Sequence, residues 1–349
     1  MRFLKLIQLF VLPLCVPESS TTAIPRCNCG DFLHSELKEE TLNLEVGGNT
    51  TFLISPRPIG SGAYGDIYHA FWQHQGSCVA LKMYKESKKA EAEIKMMRFV
   101  KKDDHIIQMS GLQRNPTTVI VMELGGMNFD NYFSTKILEG QDYNIKKHEH
   151  ILSKMILCAA RALQQFHKLN QCKQQIIGGK VHYLVYGIHM DVKGTNFVTI
   201  KGQDSSMEMN LCKIIDFNST IITEEEAIEI DKRRIIISMA YLALDIKNNR
   251  DHTTIVLTRK VDIYAFGVTI YKFLLSPHNE LVEVYPESLD YYGRLGQLSK
   301  AIYRGRYQGI WRIARQSPSQ EYVWIWACLQ ENPDDRPTIE EVISILVGM

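Results

Sequence analysis

The chain has 349 residues, a length that suits one large two-lobed domain or two ordinary ones. Hydrophobic residues make up 45% and charged residues 23%, the proportions of a globular protein rather than a disordered or fibrous one. Lys and Arg number 40 against 39 Asp and Glu, so bulk charge implies no polyanionic partner, and no basic tract with interleaved aromatics points to nucleic acid.

In chain order, Arg2 and Lys5 precede an apolar run over residues 6–16, and Thr21 and Ala23 follow with the spacing of a cleavage site. Residues 1–23 read as a secretory signal or as an apolar extension of the body. The run is too short to span a bilayer as a stable helix. Residues 24–50 are polar and poorly periodic, which reads as a linker. The eight cysteines are scattered and suggest neither a metal-ligand set nor a disulfide framework; Cys27-Asn28-Cys29 stands as an isolated pair.

Ile59, Gly60, Gly62, Gly65 and Ile67 lie between β-like runs at residues 51–55 and 67–72. Glycines so placed let backbone amides approach a phosphate closely. The same spacing opens dinucleotide-binding helices, but the strand that follows favours a hairpin. Ala80 and Lys82 come next in a short apolar strand. A lysine buried there needs an anion, unless it lies on an edge strand with its head in solvent. Glu93, on a helix expected over residues 87–100, is the first choice of partner, and Glu91 is the alternative. Residues 117–123 read as a buried strand ending in Met122 and Glu123, and Leu124-Gly125-Gly126 as a mobile connection. Met122 sits at the back of a pocket or simply fills core.

Residues 150–169 form an amphipathic helix. Residues 170–185, with Gly178-Gly179, suggest a hairpin or loop. Asp191, Lys193 and Asn196 then follow at spacings of two and three residues. Phosphoryl transfer to a hydroxyl needs such a set: a base for the hydroxyl, a cation near the phosphate and an oxygen ligand for magnesium. A short apolar strand delivers a second oxygen ligand, Asp216. Residues 219–240, with Glu224, Glu225, Glu226, Lys232, Arg233 and Arg234, look like an exposed mobile loop. Residues 260–274 are apolar almost all round and read as a buried helix. Asp262 within it needs backbone amides to satisfy it, and Arg336 needs a carboxylate, for which Asp245 is the candidate.

Together these segments resemble the eukaryotic protein kinase family from about residue 52 to residue 347. The resemblance implies an α+β, two-lobed kinase fold over residues 51–347, with a β-rich small lobe at 51–124 and a larger helical lobe at 127–347. It implies ATP bound between the lobes by Ile59, Gly60, Gly62, Gly65, Ile67, Ala80, Lys82, Met122, Glu123 and Leu124. It implies Mg2+ held by Asn196 and Asp216, Asp191 as catalytic base, and Lys82, Glu93, Lys193 and Ser238 as its supporting set, acting on a protein substrate. Lys193, two residues after Asp191, resembles the serine/threonine branch. The stretch 123–132, the Asn196-Phe197 pair and the non-arginine before Asp191 are similar to the monopolar spindle (Mps1/TTK-like) dual-specificity kinases.

The sequence departs from the family in three places. Met190 replaces an arginine and carries no charge to read a loop phosphate. Asn218 replaces a glycine, at a point where asparagine tolerates left-handed backbone. Asp245 replaces a glutamate. A pseudokinase scaffold is the first rival reading and a small-molecule phosphotransferase the second. ATP chemistry and a sequon at Asn218, beside Asp216, favour the cytoplasm or nucleus over the secretory pathway.

Overall fold

The computed structural model describes residues 27, 29–100, 104–137, 145–169, 175–176, 180–181, 185–201, 209, 211–231, 238, 241–248, 253–275 and 323–348. The apolar leader 1–23, Gly178-Gly179 and the cations Lys232, Arg233 and Arg234 lie outside these residues.

Alternating side chains over residues 38–84 form five strands: β1 (Lys38–Leu44), β2 (Gly48–Ile54), β3 (Gly60–Ser61), β4 (Gly65–Trp72) and β5 (Ser77–Tyr84). Helix α1 (Glu91–Phe99), β6 (Met109–Gln113) and β7 (Val119–Glu123) complete the small lobe. The seven strands make one antiparallel sheet ordered β1-β2-β4-β5-β7-β6, with β3 paired to β4. Phe52, Leu81 and Val121 are fully buried in one apolar cluster of the sheet, and Ala80 and Ile120 join the main core that α1 also enters. The stretch expected as a linker therefore belongs partly to the sheet. From Lys38 onward it is β1, zipped to β2 from Lys38↔Ile54 to Leu44↔Gly48. Only Leu42 and Leu44 of that strand are buried, which is why its sequence looks polar.

Leu124 leads directly into β8 (Gly125–Asn128), not into a free connection, and β8 pairs with the large lobe's β12 (Phe197–Ile200). A Cβ on Gly125 would lie 2.7 Å from Val198 Cγ2, so glycine is needed for this crossing. After α2 (Phe129–Tyr132), the long helix α3 (Ile145–His167) buries Leu152, Met155, Ala159, Leu163 and Phe166. Its Cys158 is disulfide-bonded to Cys212 of β13 (Cys212–Ile214), a link the scattered cysteines did not announce.

Strands β9 (Gln175–Ile176) and β10 (Lys180–Val181) form the small hairpin between α3 and β11 (Tyr186–Ile188). Residues 219–231 are ordered strand pairing where a mobile loop was expected. There β14 (Ile221–Thr223) joins β11, and β15 (Ala227–Asp231) joins β16 (Thr254–Thr258). Ile221, Ile222, Ile228 and Ile230 pack against the core, and the acidic triplet Glu224, Glu225 and Glu226 is only the exposed turn between strands. Helices α4 (Leu244–Asn248), α5 (Lys260–Leu275), α6 (Val323–Cys328) and α7 (Ile339–Gly348) complete the described large lobe. Among the described residues no helix is long and apolar enough to cross a membrane.

Two buried charges organise this lobe. Arg336, 1% exposed, donates to the carbonyls of Gln330 (2.7 Å), Glu331 (2.8 Å) and Lys260 (3.1 Å), and it pairs with Asp245. The shortened carboxylate therefore still reaches its arginine. Asp262 on α5 accepts from the amides of His189 (2.7 Å) and Met190 (2.9 Å) and contacts His167 Nε2 at 3.0 Å. Met190 sits at φ +68°, left-handed backbone that costs a non-glycine residue on the order of 1–3 kcal/mol. The two amide bonds to Asp262 hold it there. Asp262→Ala should strip two buried amides of their acceptor and lower unfolding free energy by about 3 kcal/mol in urea titration. A loss under about 1 kcal/mol would mean that these bonds are not what secures the loop.

Candidate active site

The cleft between sheet and helices begins at Lys82. On β5 it lies opposite Ile67 of β4 and Ile120 of β7, in the interior of the sheet. Its ammonium reaches Glu93 of α1 at 2.6 Å and Asp216, just beyond β13, at 3.1 Å. Helix phase explains the choice of Glu93. It is buried with Ile94 and Met97 on the inner face, whereas Glu91 faces out and pairs with Arg114. Burial works against both charges of the pair. For Lys82 the two carboxylates outweigh it and hold the ammonium above its usual range. For Glu93 burial wins over Lys82 and pushes the carboxyl up. These directions do not describe a plain ion pair. The ammonium, shared with Asp216, is the firmer of the two charges.

Tyr84, two residues beyond Lys82, contacts Glu93 Oε2 through its hydroxyl and lies 3.2 Å from Asn218 Oδ1. One hydroxyl hydrogen cannot serve both acceptors at once, so Glu93 and Asn218 compete for it. Asn218 also donates its amide to Asp216 Oδ1. The left-handed residue of this turn is Asp216, at φ +65°, and Asn218 is not in that region. Asparagine at 218 thus replaces glycine without backbone strain. For Asp216, burial opposes ionisation, and Lys82 with the Asn218 amide overcomes it, holding the carboxyl below its usual range.

The glycine-rich segment forms the expected hairpin, with Gly60↔Ile67 and Ser61↔Asp66 in register. A Cβ on Gly65 would lie 2.2 Å from the Met83 carbonyl oxygen, so no other residue fits where the hairpin crosses β5. At the tip, burial pushes the Tyr64 phenol up, and the charges of Asp216 and Asp191 add to that.

Opposite the sheet, Lys193 Nζ donates to Asp191 Oδ2 at 2.6 Å and to Ser238 Oγ at 3.1 Å. Asn196 Nδ2 donates to the Asp191 carbonyl at 2.8 Å and to its Oδ2 at 3.1 Å. Asp191 Oδ1 is buried and has no hydrogen-bond partner. His189 anchors this loop from behind, its Nε2 3.0 Å from the Ile215 carbonyl and its ring edge-on to Phe217.

A cavity of about 700 Å³ joins these groups. Ile59, Gly60, Gly62, Gly65, Ile67, Ala80, Met122, Glu123 and Leu124 line it together with Lys82, Glu93, Asp191, Lys193, Asn196, Asp216 and Ser238. Every residue the sequence nominated for nucleotide, metal or catalysis meets at this one cleft. The oxygen side chains of Asn196 and Asp216, with Lys82 beside them and an unclaimed carboxylate oxygen on Asp191, fit a metal–nucleotide complex. Tyr64 and Val198 line the cleft without having been nominated, and Tyr84 joins its Lys82–Glu93 network. Tyr84 had a readable signal, since an i+2 neighbour on a strand shares the face of Lys82.

Residues 54–345 match the family model of the protein kinase domain. The chain is 24% identical over 83% of its length to a PR5-like receptor kinase of Arabidopsis thaliana, 41% of which is covered. It is 24% identical over 82% of its length to an Aurora kinase of Schizosaccharomyces pombe, covering 68% of it. A serine/threonine-protein kinase MPS1 of Encephalitozoon cuniculi is 23% identical over 45% of the chain and 23% of that protein.

Tyr84→Phe keeps the ring and removes only the hydroxyl shared by Glu93 and Asn218. It should lower stability by about 1–3 kcal/mol in thermal or urea unfolding, because a buried carboxyl loses a partner. An unchanged unfolding curve would remove Tyr84 from the network.

Proposed function

The chain belongs to the protein kinase family, and we propose that it transfers the γ-phosphate of ATP to serine or threonine hydroxyls of protein substrates. The observation that carries this reading is Asp191 Oδ1, a buried carboxylate oxygen with no hydrogen-bond partner, on a residue that lines the cleft beside the Lys193–Ser238 bridge. Oδ1 accepts the hydrogen of the incoming hydroxyl and orients its oxygen toward the phosphate. Oδ2 is occupied by Lys193 and Asn196, which fixes the plane of the carboxylate. Lys82, kept protonated by Glu93 and Asp216, steadies the phosphates. When bound at Asn196 and Asp216, magnesium would neutralise charge developing on the phosphate oxygens.

A second reading, a pseudokinase scaffold, has one observation on its side: the Asn218 amide occupies Asp216 Oδ1, an oxygen that a metal would use. The monopolar spindle branch is a narrower part of the proposal. It rests on residues 123–132 and on Asn196-Phe197, since a receptor kinase and an Aurora kinase match more of the chain than the MPS1 kinase does. A cytoplasmic or nuclear location rests on the ATP chemistry and on the Asn218 sequon beside Asp216. The Cys158–Cys212 bond weighs on the other side, because disulfides persist in oxidising compartments.

Ser238→Ala should lower turnover by about ten- to a thousandfold with little change in nucleotide affinity, the signature of an interaction made in the transition state. Ser238→Thr should be nearly silent, and Lys82→Met should cost at least about a hundredfold through lost positioning. Steady-state kinetics and nucleotide titration of the three variants test this. Wild-type turnover in Ser238→Ala would remove that residue from the site and the serine/threonine assignment with it.

A further inference from the structure

On the small lobe, away from the catalytic groups, lies a second cluster of ligating side chains. We propose that Cys27, Cys29, His69 and Cys78 form a structural zinc site that clips residues 27–37 to the small-lobe sheet. The four ligand atoms all lie within 4.8 Å of one another. Cys29 Sγ is 3.3 Å from His69 Nε2. Zinc bonds of about 2.0–2.3 Å set tetrahedral edges of roughly 3.3–3.8 Å, so no pair of ligand atoms needs to close by more than about 1.5 Å.

Two separate pieces of backbone build it. Cys78 on β5 stands opposite Phe71 on β4, and His69 is two residues from Phe71, so the pair are diagonal neighbours on one sheet face. The other two thiols come from a tight turn in which the Gly30 amide donates to the Cys27 carbonyl at 2.8 Å, with Gly30 at φ +76°. The Cys27 amide closes the turn on the Phe32 carbonyl at 3.1 Å. Phe32 then stacks on the His69 ring at 4.4 Å, and His34 packs over Phe71 at 4.3 Å.

The donor set is a closed Cys3His shell with no position left for substrate, which makes the site structural rather than catalytic. Cys27 and His69 are buried. A neutral imidazole presents a lone pair at physiological pH. A divalent cation held by three thiols stabilises them as thiolates, with their protons released on binding. His69 Nδ1 has no hydrogen-bond partner, so no protein group claims the ring for another role. Among the described residues, the other such grouping, His105 with Cys158 and Cys212, is already closed by its disulfide. Within the clipped segment Asp31 pairs with Lys201, just past β12 of the large lobe. The clip therefore fastens a segment that touches both lobes.

The test is metal content. The full chain, produced in zinc-supplemented medium and purified without chelator, should carry about one zinc per molecule by mass spectrometry of the metal. Cys29→Ser and Cys78→Ser should each lose most of it. Cobalt loaded into the wild-type chain should show thiolate-to-metal charge transfer and tetrahedral d–d bands, a readout that needs no variant to fold. Three outcomes overturn the proposal: a metal-free wild type whose three thiols alkylate under native conditions, a disulfide between any two of them in peptide mapping, or full zinc retention in both serine variants.

Discussion

A buried ammonium cannot stand alone in an apolar sheet, and the placing of Lys82 constrains most of the cleft. Two carboxylates answer it from opposite directions. Glu93 arrives on α1, whose inner face must turn toward β5 to deliver it, and Asp216 arrives from the large lobe just past β13. One side chain thus couples sheet, helix and opposite lobe. Removing either carboxylate would leave the other carrying the charge alone, in surroundings where isolated charge is expensive. Tyr84 and Asn218 extend the coupling into a chain of contacts from β5 through Glu93 and back to Asp216.

The large lobe solves the same problem with Asp262 and Arg336. Each is about 1% exposed, and each spends its charge on backbone groups as well as side chains. Asp262 fixes the backbone of His189 and Met190, so Asp191 leaves the loop with its carboxylate aimed into the cleft. Arg336 ties the segment before α7 to α5 and α4. Such charges are poor sources of net stability, but they select one arrangement of loops over its neighbours. Here the selected arrangement is the one that leaves Asp191 Oδ1 unclaimed.

The groups that meet in the cleft were legible in the sequence because their spacings are short and local: Asp191, Lys193 and Asn196 fall within six consecutive positions, and helix phase separates Glu93 from Glu91. Partners for Asp262 and Arg336 were legible because a charge in an apolar helix context must be paired. Edge elements hid better. β1 buries only two side chains, so its composition reads as linker, and β14 and β15 were masked by the charged turn between them. The Asn218 backbone was misread because the left-handed residue is Asp216, and no spacing rule fixes which residue of a turn takes that strain. Cys27 and Cys29 could not be joined to His69 and Cys78 from spacing, since about forty to fifty residues and a strand register separate them.

Catalysis then depends on whether Asp216, already engaged by Lys82 and Asn218, still offers an oxygen to a metal. The most direct measurement is transfer of labelled phosphate from ATP to a mixed serine, threonine and tyrosine peptide pool, with wild type beside Asp216→Ala. The account predicts magnesium-dependent label on serine and threonine with wild type, and its loss in Asp216→Ala by at least about a hundredfold. Equal background incorporation by both proteins, with nucleotide still bound, would contradict catalysis and leave a kinase fold that only binds.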